Sequence, residues 1–255
     1  MPAIDITRRT YRPVARVGKF YAAVYGSAVL VPMGNVLEAS TEHTESVEKQ
    51  DDMSALGGGT HAELRRVTGV MFKAKLADLN ITNLSRALRA TAAPQDAGAV
   101  VDVPYTASLG ALLPLPHTGV SALVVRTGAA LGTATTVLAT AANYELHPEG
   151  LWIPQTGSAI TQGANLWLSY SHADQVVVEA LTAATPELYI RFAGLNEVDS
   201  GKPSVVDLWR VSQGVTKQLS LVNKGFTTLD IEGEVLKDPS KTGVGTSQYM
   251  RSIER

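Results

Sequence analysis

Along residues 36–48 (VLEASTEHTESVE) the side chains alternate with period 2, the spacing of a half-exposed strand. One parity carries Glu38, Ser40, Glu42, Thr44, Ser46 and Glu48, with no apolar side chain. The other carries Leu37, Ala39, Thr41, His43, Glu45 and Val47, which is mixed and partly buriable. Residues 49–61 read as a loop, because Gly57, Gly58 and Gly59 remove any regular ladder. The chain returns as LRRVTGVMFKAKLAD, with Leu64, Val70, Phe72, Ala74 and Leu76 on one side and Arg65, Lys73 and Lys75 on the other. Leu79, Ile81, Leu84 and Leu88 then suit a short amphipathic helix over 79–91 that stops before Pro94.

The same reading extends to both sides. Residues 1–20 are polar and basic (Arg8, Arg9, Arg12, Arg16, Lys19) and read as a frayed terminus or an arm that docks on a neighbouring subunit. Residues 20–31 are apolar and β-compatible, and Pro32-Met33-Gly34 is a turn. Short strand candidates at 121–127, 135–140, 165–171 and 176–181, with a hairpin at 143–154 centred on Pro148-Glu149-Gly150, have the spacing of a small sandwich or barrel. Residues 98–172 therefore read as a β-rich insertion or subdomain. Clean alternation resumes at 187–196 and 204–212, followed by an expected antiparallel pair of 216–223 with 226–238. In that last segment Leu229, Ile231 and Val235 point one way, while Thr228, Asp230, Glu232 and Glu234 point the other. The polar tail 239–255 is expected to be a mobile arm until something binds it.

Composition narrows the chemistry. A chain of 255 residues can bury a real core. A formal charge of −2 gives no global basic field for nucleic acid. The lack of cysteine excludes a disulfide scaffold, a thiolate nucleophile and any Cys-containing zinc site. The N-terminus has no apolar signal-peptide core, and no apolar run approaches the roughly 18 residues of a membrane span. The expectation is a soluble protein, made in a cytoplasm and without a membrane partner.

No catalytic pattern emerges. His43, His61, His117, His147 and His172 are scattered without an i, i+4 pair, so surface or turn histidines are the default. No Gly-Lys-Ser/Thr follows the three glycines, and no dinucleotide-binding spacing exists. Asp51 and Asp52 beside Glu48 read as a solvated charge run rather than a cation site. No carboxylate pair stands out for glycoside chemistry. The expectation is no enzyme, no metal and no cofactor. Two acidic strand faces in one probable sheet, a glycine-rich loop and two polar termini instead fit a sheet that lines a water-filled bore in a ring.

At the residues PMGNVLEAS…VEKQDDMSALGGGTHAELRRV…DLNITNLSRALRATAA, then LYIRFAGLNEVDSGKPSVVDLWRV and DIEGEVLKDPS, the chain resembles the major tail tube proteins of long-tailed bacteriophages. The resemblance covers the first and last thirds well and the middle loosely. It implies a mainly β fold: a β-sandwich or barrel with one flanking α-helix, a long inter-ring loop and a β-rich middle insertion. It implies rings of six subunits stacked into a tube, in a virion tail assembled in the bacterial host cytoplasm. The implied partners are further copies of the chain, a tape-measure protein, the tail terminator and distal tail or baseplate proteins, with double-stranded DNA passing without specific binding. Glu38, Glu42, Glu48, Asp230, Glu232 and Glu234 would face the lumen. Asp51, Asp52, Met53, Leu56, Gly57, Gly58 and Gly59 would reach the next ring. The alternative is a monomeric β-sandwich that binds carbohydrate or a receptor through Trp152, Trp167, Tyr170 and Trp209.

Overall fold

The computed structural model describes residues 13–54, 56–184 and 187–254. Strands make up 52% of the chain and helices 6%, so the fold is mainly β, in several antiparallel sheets. The chain forms two compact units. The first contains residues 1–91 and 179–255, and the inserted unit contains 92–178, wider at both ends than 98–172.

The first unit is built on one sheet. Its strands are β1 (Arg16–Val24), β2 (Val31–Pro32), β3 (Val36–Asp51), β4 (Thr60–Leu76), β14 (Leu188–Asn196), β15 (Lys202–Gln213), β16 (Leu229–Val235) and β17 (Met250–Glu254). The order is β2-β1-β14-β15-β16-β4-β3, and β17 also pairs with β15. The sheet curls, bringing Phe20 of β1 to 6.3 Å from Phe72 of β4 and 4.7 Å from Phe192 of β14, between ring centroids. Alternation explains the core: Val70, Phe72, Ala74 and Leu76 of β4 and Leu229, Ile231 and Val235 of β16 are buried, as period-2 strands with one inward face require.

One α-helix is found among the described residues, α1 (Ile81–Leu88). Asn80 caps it, its side-chain oxygen accepting from the Asn83 amide at 2.8 Å, a contact worth about 1 kcal/mol. The helix is shorter than 79–91 because Arg89 adopts φ +48 and turns the chain out, and Thr91 already begins a strand. Buried Asn83 donates to the Met33 carbonyl at 2.7 Å, and Ala87 joins the sheet's core.

The inserted unit carries β5 (Thr91–Gln95), β6 (Gly98–Thr106), β7 (Ala111–Pro114), β8 (Ser121–Thr127), β9 (Thr136–Leu138), β10 (Glu145–His147), β11 (Gly150–Ile153), β12 (Asn165–His172) and β13 (Gln175–Glu179). Two small sheets, β6-β12-β8-β9 and β10-β11-β7, share a core that includes Val125, Leu151, Ile153, Leu166 and Leu168. β5 and β13 pair as a separate ribbon through which the chain enters and leaves the unit.

Several expectations are corrected. Residues 216–223 form no strand: β16 finds its partners in β15 and β4, and Leu221 and Val222 are left exposed. The C-terminal arm is not loose, since Met250–Glu254 pairs with Ser204–Leu208. Arg16 and Lys19 lie in β1 rather than in a frayed end. Arg8, Arg9 and Arg12 fall outside the described residues. No described helix is long and apolar enough to cross a membrane.

Candidate functional site

The antiparallel register of β3, β4 and β16 sets a charge pattern on the outer side of the sheet. Directly opposed residues share a face, so each cross-strand row can be read off the pairing. Lys75 lies between Glu38 and Asp230; Lys73 lies between Ser40 and Glu232; Met71 lies between Glu42 and Glu234. Two acidic columns therefore flank a column with two lysines. A shallow groove of about 580 Å³ runs over the first two of these rows, and Lys217, from the loop between β15 and β16, borders it.

The lysines hold particular acids. Lys73 Nζ donates to both Glu42 carboxylate oxygens at 2.8 Å, and Lys217 Nζ lies 2.7 Å from Glu232. The Glu42 hydrogen bond raises the Lys73 pKa against the opposing effect of desolvation, with the charges of Glu42 and Glu232 adding to the rise. Five carboxylates (Glu38, Glu42, Asp230, Glu232, Glu234) face three ammonium groups (Lys73, Lys75, Lys217), leaving this face at −2. The wall is thus acidic but striped, not uniformly negative. Glu48, the sixth expected acid, stands apart, opposite Leu64 on the outer half of the β3–β4 hairpin.

That outer half is exposed on both faces. Residues 42–51 of β3 and 60–68 of β4 lie over no core, a projection of roughly 30 Å at about 3.3 Å per residue. The expected loop is much shorter than 49–61, because the ladder continues to Asp51 opposite Thr60. Asp51 is consequently a strand residue. Asp52 closes the loop: its amide donates to the Gly59 carbonyl at 2.8 Å, and its side chain accepts from the Ser54 amide at 2.9 Å. Those Ser54 hydrogen bonds lower the Asp52 pKa. Gly57, Gly58 and Gly59 all have positive φ, a run that residues with a Cβ adopt only at a cost. Met53 and Leu56 are 89% and 108% exposed at the tip.

A bulge separates the two halves of the hairpin. Thr44 pairs with Gly69 but Glu45 pairs with Val67, so Thr68 is an extra residue in β4. Every β4 side chain before it changes face. Arg65 therefore lies opposite Val47, away from Lys73 and Lys75, and reaches Glu45 at 3.7 Å and Glu63. Leu64 is likewise exposed instead of joining Phe72.

The remaining candidates do not assemble. Tyr170 is 3% exposed in the inserted unit's core. The indole N–H groups of Trp167 and Trp209 are spent on the carbonyls of Gly128 and Ser247, both at 3.1 Å. Trp209 is further covered by Lys241 and Arg251. No group of three or more metal-capable side chains occurs among the described residues. One pairing had no signal in the sequence: His117 and His172, 55 positions apart, stack with ring centroids 3.9 Å apart.

A family model matches residues 14–253. The chain belongs to the family described as protein of unknown function UCP028589. The UCP028589 match runs through the inserted unit as well as the first, so the striped wall, the hairpin and the insertion all fall within it. No curated protein matches the chain.

Proposed function

We propose that this protein is a structural subunit that self-assembles into stacked rings, forming the tail tube of a long-tailed bacteriophage and a conduit for its DNA. The observation that carries this reading is the β3–β4 hairpin, whose outer half is exposed on both faces and ends in an apolar, glycine-rich tip. Ordering such an arm costs conformational entropy, and contact with another copy supplies the burial that offsets it. The resemblance in the first and last thirds of the sequence supports the same reading.

The striped wall is suited to line the bore. Phosphate backbones bind cationic surfaces by releasing counterions, and a face with a net charge of −2 gives no such gain. Paired lysines fix Glu42 and Glu232 in place while lowering the repulsion, so DNA slides without being held. Among the described residues β3 has no partner on its outer edge, and a neighbouring subunit in the ring caps it, turning an aggregation hazard into directed assembly. Six subunits per ring is the expected closure, with a tape-measure protein inside and terminator and distal tail proteins at the ends.

Negative-stain electron microscopy of the purified protein over a concentration series tests the reading. Annular rings or tubes with a central hole are expected. Particles that remain monomeric at every concentration, and with tape-measure protein added, overturn it.

A further inference from the structure

We propose that the stacked pair His117–His172 is an acid-released clasp, holding the 115–120 loop to the ribbon by which the chain enters and leaves the inserted unit. The inference concerns the inserted unit alone and does not depend on tube assembly.

The imidazole rings are nearly parallel, 13° apart, with centroids 3.9 Å apart. His117 Nδ1 is hydrogen-bonded to Tyr170 Oη at 3.0 Å, which ties the loop to the unit's core. His172 Nδ1 donates to the Ala173 carbonyl at 3.0 Å. Gly98 allows this approach, because a Cβ there would lie 3.1 Å from His172 Nε2.

The loop is also stitched to both ribbon strands. Gln175 Oε1 accepts from the Thr118 amide at 2.8 Å and its hydroxyl at 3.0 Å. Gln175 Nε2 donates to Gln95 Oε1 at 2.7 Å and to the Pro116 carbonyl at 3.3 Å. Releasing the loop therefore releases ties on β5 and β13 together.

Two acids lie close along the chain, Asp174 two residues beyond His172 and Asp96, whose carbonyl lies near Gly98. Tyr170 meets His117 from β12, with Tyr105 of β6 beside it, and Gln175, itself bonded to Gln95, holds Pro116 and Thr118 on either side of His117. Neither imidazole has a carboxylate within ion-pairing distance among the described residues, and His172 is the one charge acting on His117. Burial, and then the charge of His172, holds His117 below the ordinary histidine value. The closed clasp thus prefers a neutral ring. Its contribution is fully present above about pH 6.5, where a free histidine is neutral, and is lost as the pH falls below that value. Two stacked imidazolium ions repel, and no carboxylate pairs with either ring among the described residues.

Hydrogen exchange of the full chain, compared at about pH 7.5 and about pH 5 on either side of the imidazole range and corrected for intrinsic rates, reads the clasp. Segments 115–120 and 172–179 should lose roughly tenfold in protection on acidification, while 166–168 in the core of β12 keep theirs. H172F keeps an aromatic ring in the stack but removes one of the two charges, and should reduce the difference severalfold, leaving the part due to burial of His117. Equal loss in H172F, or no loss in the wild type, overturns the proposal. Should H172F misfold, a histidine-ring proton NMR titration of the wild type decides instead: two independent midpoints at the free-histidine value overturn the clasp, and a depressed His117 midpoint supports it.

Discussion

The carboxylate of Asp207 is completely buried and accepts from Arg251 Nη2 at 2.9 Å, so a charge fastens the C-terminal strand β17 to β15. Arg191 Nε lies 3.3 Å away on the other neighbouring strand, and Tyr189 Oη donates at 2.7 Å. Asp207→Ala removes the shared acceptor and leaves two guanidinium groups facing each other. A loss of about 1–3 kcal/mol is expected, because the hydrogen bonds from Arg251 and Tyr189 and the ion pair with Arg191 are lost to a buried acceptor while the partly exposed guanidinium groups return to water. Urea unfolding measures it, and a change below about 1 kcal/mol would contradict the fastening. Arg251→Ala should cost less, because Arg191 and Tyr189 still serve the carboxylate.

The same site gives a pH dependence. Burial first, and then the hydrogen bond to Asp207, raises the Tyr189 pKa to about 12; Tyr170 is also raised to about 12, mainly by burial. An unfolded phenol titrates near 10, so the unfolded chain releases its protons first. The contribution of these two groups is fully present below about pH 10 and is lost as the pH rises towards about 12. Tyrosinate absorbance should lag in the native protein by at least two residues relative to the urea-unfolded protein, since Tyr25 and Tyr144 are raised as well. A native titration that coincides with the unfolded one would remove the effect.

The striped wall makes a prediction about transport. Replacing Glu38, Glu42 and Glu232 by Lys adds two charges per site and moves the face from −2 to +4. The sheet should survive, because all three side chains point away from the core. Tubes should form while DNA ejection slows and becomes salt-dependent, as phosphate contacts release counterions. Ejection at wild-type speed from such tubes would rule out a role for wall charge.

The hairpin tip separates folding from stacking. Replacing residues 53–58 by Asn-Gly supplies a two-residue turn compatible with the flanking ladder. Thermal unfolding should shift by no more than a few degrees, while tubes give way to single rings. Tubes of normal length would remove the tip from the inter-ring contact.

Much of the first unit could be read from its alternation. Leu229, Ile231 and Val235 lie inward with Asp230, Glu232 and Glu234 outward, because one buried face leaves strand register little freedom. The Thr68 bulge has one mark in the sequence, Gly69 beside it, which a reading by period-2 alternation alone passes over. Missing it put Arg65 and Leu64 on the wrong faces. Residues 216–223 failed for a different reason: their alternation is genuine, but β4 and β15 already occupy both edges of β16. The His117–His172 stack was out of reach because it joins a loop to a strand end through tertiary packing alone.

The β5–β13 ribbon also makes the inserted unit exchangeable. Its two ends leave side by side, so a substitute of any length joins the host strands with a closure cost that grows only as the logarithm of its size. A foreign domain whose termini are close together can be spliced between Thr91 and Glu179 without re-registering β14 or lengthening α1. Each copy would then carry one cargo. In the proposed tube, the spacing of that cargo would be set by the repeat of the subunits and not by linker chemistry, so residues 92–178 would serve as a port for multivalent display.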